Sequence, residues 1–320
     1  VTQGAPRICA VVVTYNRLAK LKLALARLLA EPLDHIVVVD NASDDGTAAY
    51  LAGLNDSRLD NLRLERNMGG AGGFEAGLRH AVAQYDPDWA LLQDDDAWPD
   101  PGAISAFRSA DTSEWDAVAG AVRYPDGAIC DMNRPLLNPF RNLRVFLRTA
   151  LGGGRRAFHM ADDSYDSTAP VPVDGGAFVG LFLSRRAIKL AGYPDGRLFI
   201  YADDALYCLT LRKAGGRIAF LPALRFTHDC TSFDAGGALV PDWKVYFYHR
   251  NVLILYRAAA GVLFWPAMLV ILPKWLIRLW SGGDNRRDRA RLMLWGLRDG
   301  LRRDTHLTLA GLQSKLARTR

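Results

Sequence analysis

Residues 8–13, Ile-Cys-Ala-Val-Val-Val, form an unbroken apolar run of strand length. The polar break Thr14-Tyr15-Asn16-Arg17 follows, and then leucines recur at helical spacing across residues 18–30. That succession predicts strand, loop and helix. Residues 36–39 predict a second buried strand, ended by the turn-rich Asp40-Asn41-Ala42-Ser43-Asp44-Asp45-Gly46-Thr47 and a helix over 47–54. A third strand is expected at 62–65, a glycine-rich loop at 67–73, a helix at 74–84 and a fourth strand at 89–93. Strands alternating with helices predict an α/β protein, its mainly parallel sheet covered on both faces and its ligand site beyond the carboxyl ends of the strands. The polar clusters at 14–17, 40–41, 67–73 and 94–96 each follow a predicted strand, so they are expected to converge on one rim.

Further along, residues 115–130 predict strands with a hairpin at Tyr124-Pro125-Asp126-Gly127. Residues 131–172 are less regular and read as an insertion or mobile lid. Its Arg141, Arg144, Arg148, Arg155 and Arg156 surround Gly152-Gly153-Gly154 and either meet a phosphate-bearing acceptor or simply face water. Strand character returns at 173–182, and a helix over 184–191 opens on a serine cap. Asp203-Asp204 opens another helix, and the apolar run 218–224 precedes Phe226-Thr227-His228-Asp229-Cys230.

Residues 258–273 are uncharged and largely apolar, but a spanning helix needs about 20 such positions. Arg257, Lys274 and Arg278 flank the run, Trp265, Trp275 and Trp280 punctuate it, and an arginine-rich helix is expected over 285–303. An interfacial anchor with a basic face fits that pattern. A buried helix pair or a dimer interface is the alternative. The expected division is therefore a main domain over 1–255 and a helical region over 256–320.

With 320 residues, 50% hydrophobic and 23% charged, the chain has the makings of a sizeable core, which sets disorder aside. Lys+Arg 40 against Asp+Glu 34 leaves +6. Residues 281–320 hold ten basic and four acidic residues, which is also +6, so the remainder sums to zero and the basic character belongs to the tail. Nucleic acid is not an expected partner. Cys9, Cys130, Cys208 and Cys230 are widely spaced, which signals neither a zinc site nor a disulfide framework and suits reduced thiols in a cytosol. Residues 1–7 lack the build of a signal peptide, so a cytoplasmic protein is expected, held peripherally at a membrane if the tail is an anchor.

Asp94-Asp95-Asp96 follows the apolar residues 89–92, and three consecutive carboxylates there call for neutralisation. A strand alternates its side chains, so Asp94 and Asp96 are expected on one face and Asp95 on the other. Two hard oxygen ligands suit Mg²⁺ or Mn²⁺, with the remaining positions left to water and a substrate phosphate. A solvated acidic turn is the plainer alternative. The glycines at 69–73 match neither the dinucleotide fingerprint nor the phosphate-binding loop of nucleotide triphosphatases.

Residues 11–17, 38–47, the loop Asn67-Met68-Gly69-Gly70-Ala71-Gly72-Gly73-Phe74 and Asp94-Asp95-Asp96 together resemble the family 2 glycosyltransferases of the GT-A fold, over roughly residues 8–255. The glycine loop and triple aspartate are most like the galactofuranosyltransferase branch, with rhamnosyltransferases near. By that resemblance Thr14, Tyr15, Asn16 and Arg17 would lie by the nucleotide, Asp40 would accept a hydrogen bond from uracil, and Asn67, Gly69 and Gly70 would line the sugar-diphosphate pocket with Asp94 and Asp95. Asp94 and Asp96 would hold Mn²⁺ or Mg²⁺, with His228 completing the shell. The Asp203-Asp204 pair looks like the family's acidic catalytic segment, although Leu206 stands where a third acid is common. Asp204 would be the base, and Asp203 would bind acceptor hydroxyls. Gly175 and Gly176 would let the acceptor lie on the backbone, and His249, with Arg250 and Asn251, would reach the acceptor or donor phosphate, a capped aromatic core segment being the alternative. A helix N-cap is the structural alternative for either acid.

The implied reaction is metal-dependent inverting transfer of a sugar, galactofuranose from UDP-galactofuranose, to a bacterial surface glycan or polyprenyl-linked acceptor. A rhamnosyltransferase using dTDP-rhamnose is the neighbouring reading. A nucleotidyltransferase, which also places metal carboxylates after a strand, is the reading from another class, and a homo-oligomer is open.

Overall fold

The apolar run at the start of the chain becomes β1 (Ile8–Thr14), and every residue of it is buried. Alternation then sorts its side chains onto two faces. Cys9, Val11 and Val13 join one core layer, while Ile8, Ala10 and Val12 join the other with Leu21, Leu25 and Leu28. These leucines lie on α1 (Leu18–Leu29), so its apolar stripe covers one side of the sheet. A computed structural model describes residues 5–230, 239–280 and 285–319.

The first half continues as β2 (His35–Asp40), α2 (Thr47–Ala52), β3 (Leu59–Arg63), α3 (Gly69–Tyr85), β4 (Trp89–Asp94), β5 (Ala97–Pro99), α4 (Ala103–Ser109) and β6 (Ala117–Arg123). After it come α5 (Leu143–Arg148), β7 (Val171–Val173), β8 (Leu181–Ser184), α6 (Arg185–Ala191), α7 (Asp203–Lys213) and β9 (Ile218–His228). Among the described residues these strands make one nine-stranded sheet, ordered β3-β2-β1-β4-β8-β6-β9-β5 with β7 also on β9. β1, β2, β3 and β4 run parallel, as do β6 and β9, whereas β8 pairs antiparallel with both β4 and β6. The expected α/β architecture is present, with antiparallel members toward one side.

Three boundaries differ from expectation for physical reasons. The third strand begins earlier, at Leu59, because it is a half-exposed edge whose Asp60 and Asn61 break the apolar signal. The glycines of 69–73 belong to α3 and are not a loop. Their lack of side chains lets the helix lie close on the sheet: a Cβ at Gly77 would sit 2.5 Å from Val11 Cγ1 and 2.6 Å from Val39 Cγ2, and one at Gly73 would collide with Val13. Residues 174–180 are a bend between β7 and β8, with Gly180 at φ +69.

The chain divides into two compact units, Val1–Gly196 with Tyr207–Cys230, and Arg197–Leu206 with Thr231–Arg320. The division thus falls before residue 255. In the second unit α8 (Lys244–Ala260) packs against α10 (Arg286–Arg302), where Gly296 and Gly300 bring α10 onto the backbone of α8. α9 (Phe264–Trp280) and α11 (Leu309–Ala317) complete the unit. The apolar run 258–273 is not one element, because α8 stops at Ala260 and Gly261 takes φ +54 before α9 starts.

Lys244–Ile277 is long and apolar enough to cross a membrane by length and composition, with mean hydropathy 1.8 in its best window and 17% of that window buried. α9 itself, at 17 residues, is about 26 Å long, short of a hydrocarbon core of about 30 Å. It exposes Trp265, Leu269, Val270 and Ile277.

The packing of α3 yields a stability test. Gly77→Ala gains about 1 kcal/mol of helix propensity, but it drives a methyl into two stiff valines, an overpacking cost of about 1–3 kcal/mol. Thermal unfolding should show net loss for Gly77→Ala and none for Gly70→Ala, whose Cβ would meet nothing within 4 Å. Equal melting temperatures for the two would contradict this packing.

Candidate active site

β4 ends at Asp94, and Asp95 and Asp96 form the turn into β5. The separation of the three carboxylates therefore comes from a turn and not from strand pleating, but its outcome is the expected one. Asp95 turns back to β1, where Thr14 Oγ1 donates to its Oδ2 at 2.7 Å and Arg17 Nη1 reaches its Oδ1 at 3.2 Å. Asp94 and Asp96 instead share a cluster with His228, whose ligand atoms all lie within 4.8 Å of one another. The strand pairing explains the histidine: β5 runs antiparallel to β9 with Ala97 opposite His228, which brings the last residue of β9 beside the turn.

Electrostatics bind this group together. Arg17 Nη1 lies 2.7 Å from Asp96 Oδ2, and His228 Nε2 lies 3.1 Å from Asp96 Oδ1. Burial pushes Asp94 up to about 7, with Asp96 adding to the shift. Burial likewise raises Asp95 to about 6, against the pull of Arg17 and Thr14. For Asp96 burial acts upward too, but His228 and Arg17 together hold it below the ordinary carboxylate range. Burial works against charge on His228, and Asp96 outweighs it, raising the imidazole to about 10. Two carboxylates and an imidazole on one spot are a donor set for a hard divalent cation, and a cation there would displace the imidazole proton. Asn133, absent from the sequence reading, fixes the ring: its Oδ1 is 2.7 Å from His228 Nδ1, which leaves Nε2 to the aspartate side.

The other polar clusters do meet here. Asn16 donates its backbone N–H to Ser43 Oγ at 3.0 Å and accepts from the Asp44 N–H at 2.8 Å, while Asp45 caps the Leu18 N–H at 2.8 Å. Asn41 accepts from the Met68 N–H at 2.7 Å and donates to Gly69 O at 2.9 Å, tying the end of β2 to the start of α3. Asn67 caps the Gly69 N–H at 2.8 Å, and Gly69 takes φ +71. Tyr15 and Asn16 are exposed, whereas Thr14 is buried and spent on Asp95. Asp40 is also buried, its oxygens already taken by the Ser43 N–H at 2.8 Å and Arg63 Nη1 at 2.6 Å, with spare lone pairs remaining.

Three residues expected at the acceptor, Gly175, Gly176 and His249, are buried. Gly175 is buried against Leu136, with which it exchanges backbone hydrogen bonds, and a Cβ on Gly176 would stand 2.9 Å from Ala119 Cβ. His249 is buried in α8, where its Nδ1 donates to Val245 O at 2.7 Å and its ring stacks edge-on with Trp275.

Asp203 and Asp204 are the first residues of α7, where the helix dipole favours negative charge. Burial nonetheless raises Asp204 to about 6. The loop before them is strained: Phe199, Tyr201 and Ala202 all have positive φ, at 68°, 72° and 64°. Buried Arg250 and Asn251 of α8 hold it. Arg250 Nη2 donates to Leu198 O at 2.9 Å, and Asn251 Nδ2 reaches the carbonyls of Leu198, Ile200 and Tyr201 at 2.9, 2.7 and 3.1 Å. These contacts explain why residues 197–206 segregate with the C-terminal helices. No periodicity could have revealed them; the clue was a polar Arg250-Asn251 pair inside an aromatic helix.

A family model described as glycosyl transferase family 2 matches residues 9–162. Over 302 residues the chain is 28% identical to galactofuranosyltransferase GlfT1 of Mycolicibacterium smegmatis, an alignment covering 90% of this chain and 93% of that protein. It is 25% identical over 255 residues to the dTDP-rhamnosyl transferase RfbF of Shigella flexneri, covering 78% and 80% of the two chains. Among solved structures, the mannosyltransferase PcManGT from Pyrobaculum calidifontis, in complex with GDP-Man and Mn²⁺, superposes with a TM-score of 0.56 at 16% identity, covering 95% of this chain and 88% of that one. Residues 9–162 carry the match to glycosyl transferase family 2, the fold is of the GT-A kind, and the chain is a glycosyltransferase similar over most of its length to the galactofuranosyltransferases.

Proposed function

We propose that the protein is a metal-dependent inverting transferase that moves galactofuranose from UDP-galactofuranose to a surface glycan or its polyprenyl-linked precursor. The observation that carries the reading is the convergence of Asp94, Asp96 and His228 on one spot beside Arg17. A Mn²⁺ or Mg²⁺ ion held by those three residues would neutralise the charge that builds on the departing nucleoside diphosphate. Arg17, a third exposed and fixed by two aspartates, is placed to meet the same phosphates. Asp204 takes the proton from the acceptor hydroxyl as its oxygen attacks the anomeric carbon, and Asp203 orients that hydroxyl. A raised carboxyl suits this role, since a base works best when its pKa approaches the working pH. The donor assignment draws on the likeness to GlfT1. The likeness to RfbF supports transfer of rhamnose from dTDP-rhamnose as a second reading.

The test is turnover of each sugar nucleotide in Mn²⁺ buffer. UDP-galactofuranose should release UDP with a suitable glycan acceptor present, and dTDP-rhamnose should release little; the reverse preference would establish the second reading. Asp204→Asn should lower the rate by about 10²–10⁴ while calorimetry shows UDP binding unchanged. Since the base must be ionised, the wild-type rate should fall as pH drops through about 6 and level off above it. An unchanged rate in Asp204→Asn would remove Asp204 from the mechanism.

We further infer that the protein works at an anionic membrane surface. α9 exposes an apolar face, and in the insertion Leu143, Leu147 and Leu151 are 72%, 46% and 84% exposed among Arg144, Arg148 and Arg155. Each basic side chain near such a surface contributes about 1 kcal/mol. Removing the tail is a poor test, because α10 packs on α8. The double change Trp265→Glu and Leu269→Glu should instead abolish flotation with anionic vesicles at low salt while leaving the melting temperature near wild type. Full flotation of that variant, or a stable dimer that ignores vesicles, would make the face a protein interface.

A further inference from the structure

Cys130 and Cys230 are far apart in sequence and share no metal-binding spacing, yet the fold brings them together beside His228. Cys130 sits just past β6, its backbone N–H bonded to Val122 O at 3.0 Å, and Cys230 lies two residues beyond the end of β9. The parallel pairing of β6 with β9 delivers both to the same place. Ligand atoms of Cys130, Cys230 and His228 all lie within 4.8 Å of one another, and Cys130 Sγ is 4.0 Å from His228 Nδ1. Both thiols are free. Asn133 Oδ1 completes the cluster, 2.9 Å from Cys130 Sγ and 2.7 Å from His228 Nδ1.

We propose that these residues form a second metal site, one for a thiophilic divalent cation of the Zn²⁺ class, bound by Cys130 Sγ, Cys230 Sγ and His228 Nδ1. Two sulfurs and an imidazole nitrogen are the donors that such a cation selects over Mg²⁺ or Mn²⁺. Asn133 Oδ1, beside Cys130 Sγ and His228 Nδ1, would be the nearest further oxygen donor. On binding, two metal–sulfur bonds replace two S–H bonds and a metal–nitrogen bond replaces the Nδ1–H bond of the imidazolium, so three protons leave to solvent. Nε2 keeps its proton, and Asp96 Oδ1, 3.1 Å away, accepts its hydrogen bond.

That last step makes the two centres exclusive. A neutral imidazole has one ring nitrogen with a free lone pair. When His228 turns it toward the thiols, none is left for the cation of Asp94 and Asp96. Zinc therefore silences the enzyme by taking one ligand from the hard-metal centre. This consequence rests on the proposed role of His228 in that centre; the thiol site itself does not.

Cadmium titration of the full chain under a phosphine reductant tests the site. A thiolate-to-cadmium ultraviolet band should grow to one cation per chain, persist in Asp94→Asn, and vanish in Cys130→Ser and in Cys230→Ser. Circular dichroism and thermal unfolding confirm that each variant is folded, and Cys230, being only half-buried, serves alone if Cys130→Ser fails to fold. No band in wild type, or an undiminished band in folded Cys230→Ser, overturns the site. Exclusion is read separately from the Mn²⁺ paramagnetic resonance signal. Zinc should release bound Mn²⁺ from wild type, and Cys230→Ser should need about tenfold or more zinc, the scale on which even outer-shell partners alter metal affinity. Equal release from both overturns the exclusion. Failure of Mn²⁺ to bind at all overturns the hard centre and leaves the cadmium result to stand for the soft one.

Discussion

Asp94, Asp95 and Asp96 repel one another at the end of a buried strand, and much of the molecule's first unit is arranged around that repulsion. Carboxylates taken out of water are costly unless each finds a partner. Thr14 and Arg17 take Asp95, Arg17 and His228 take Asp96, and Asp94 is left the most strongly raised of the three. Partners come from the end of β1 and the turn after it and from the end of β9, so the order of the strands in the sheet is what supplies the charges. Such a balance leaves room for a cation. A divalent ion can answer Asp94 and Asp96 at once, where one histidine and a shared arginine answer them only in part.

The second unit meets a different constraint. Three non-glycine residues with positive φ in one loop would not persist unless the surroundings over-determined them. Arg250 and Asn251 supply that, with donors to the carbonyls of Arg197, Leu198, Ile200 and Tyr201. The result is a fixed start for α7 and hence a fixed direction for Asp203 and Asp204. Strain of this kind concentrates where geometry is used, which agrees with a catalytic reading of the pair.

Elements with a continuous apolar signal were legible from the chain alone: β1, α1, β2 and β4 fall where the runs of valine and leucine put them. So did the rim, because each polar cluster followed a strand. β3 was misplaced because an edge strand with Asp60 and Asn61 carries little apolar pattern. The glycines of α3 misled by propensity; what decides there is room against Val11, Val13 and Val39, a tertiary matter. His249, Gly175 and Gly176 are buried, and a run of glycines does not by itself distinguish a backbone platform from close packing. Asn133 and the Cys130–Cys230 pair went unseen for one reason: each works through a neighbour distant in sequence, and no local pattern encodes that.

The central claim is that Asp94, Asp96 and His228 form one hard-metal centre from which Asp95 is excluded. Anomalous diffraction from crystals grown with Mn²⁺ and UDP tests it most directly. The account predicts a single strong manganese peak within bonding distance of one oxygen of Asp94, one oxygen of Asp96 and His228 Nε2, with Asp95 still on Thr14 and Arg17. A peak bonded to Asp95, or UDP bound with no manganese beside these residues, would contradict it.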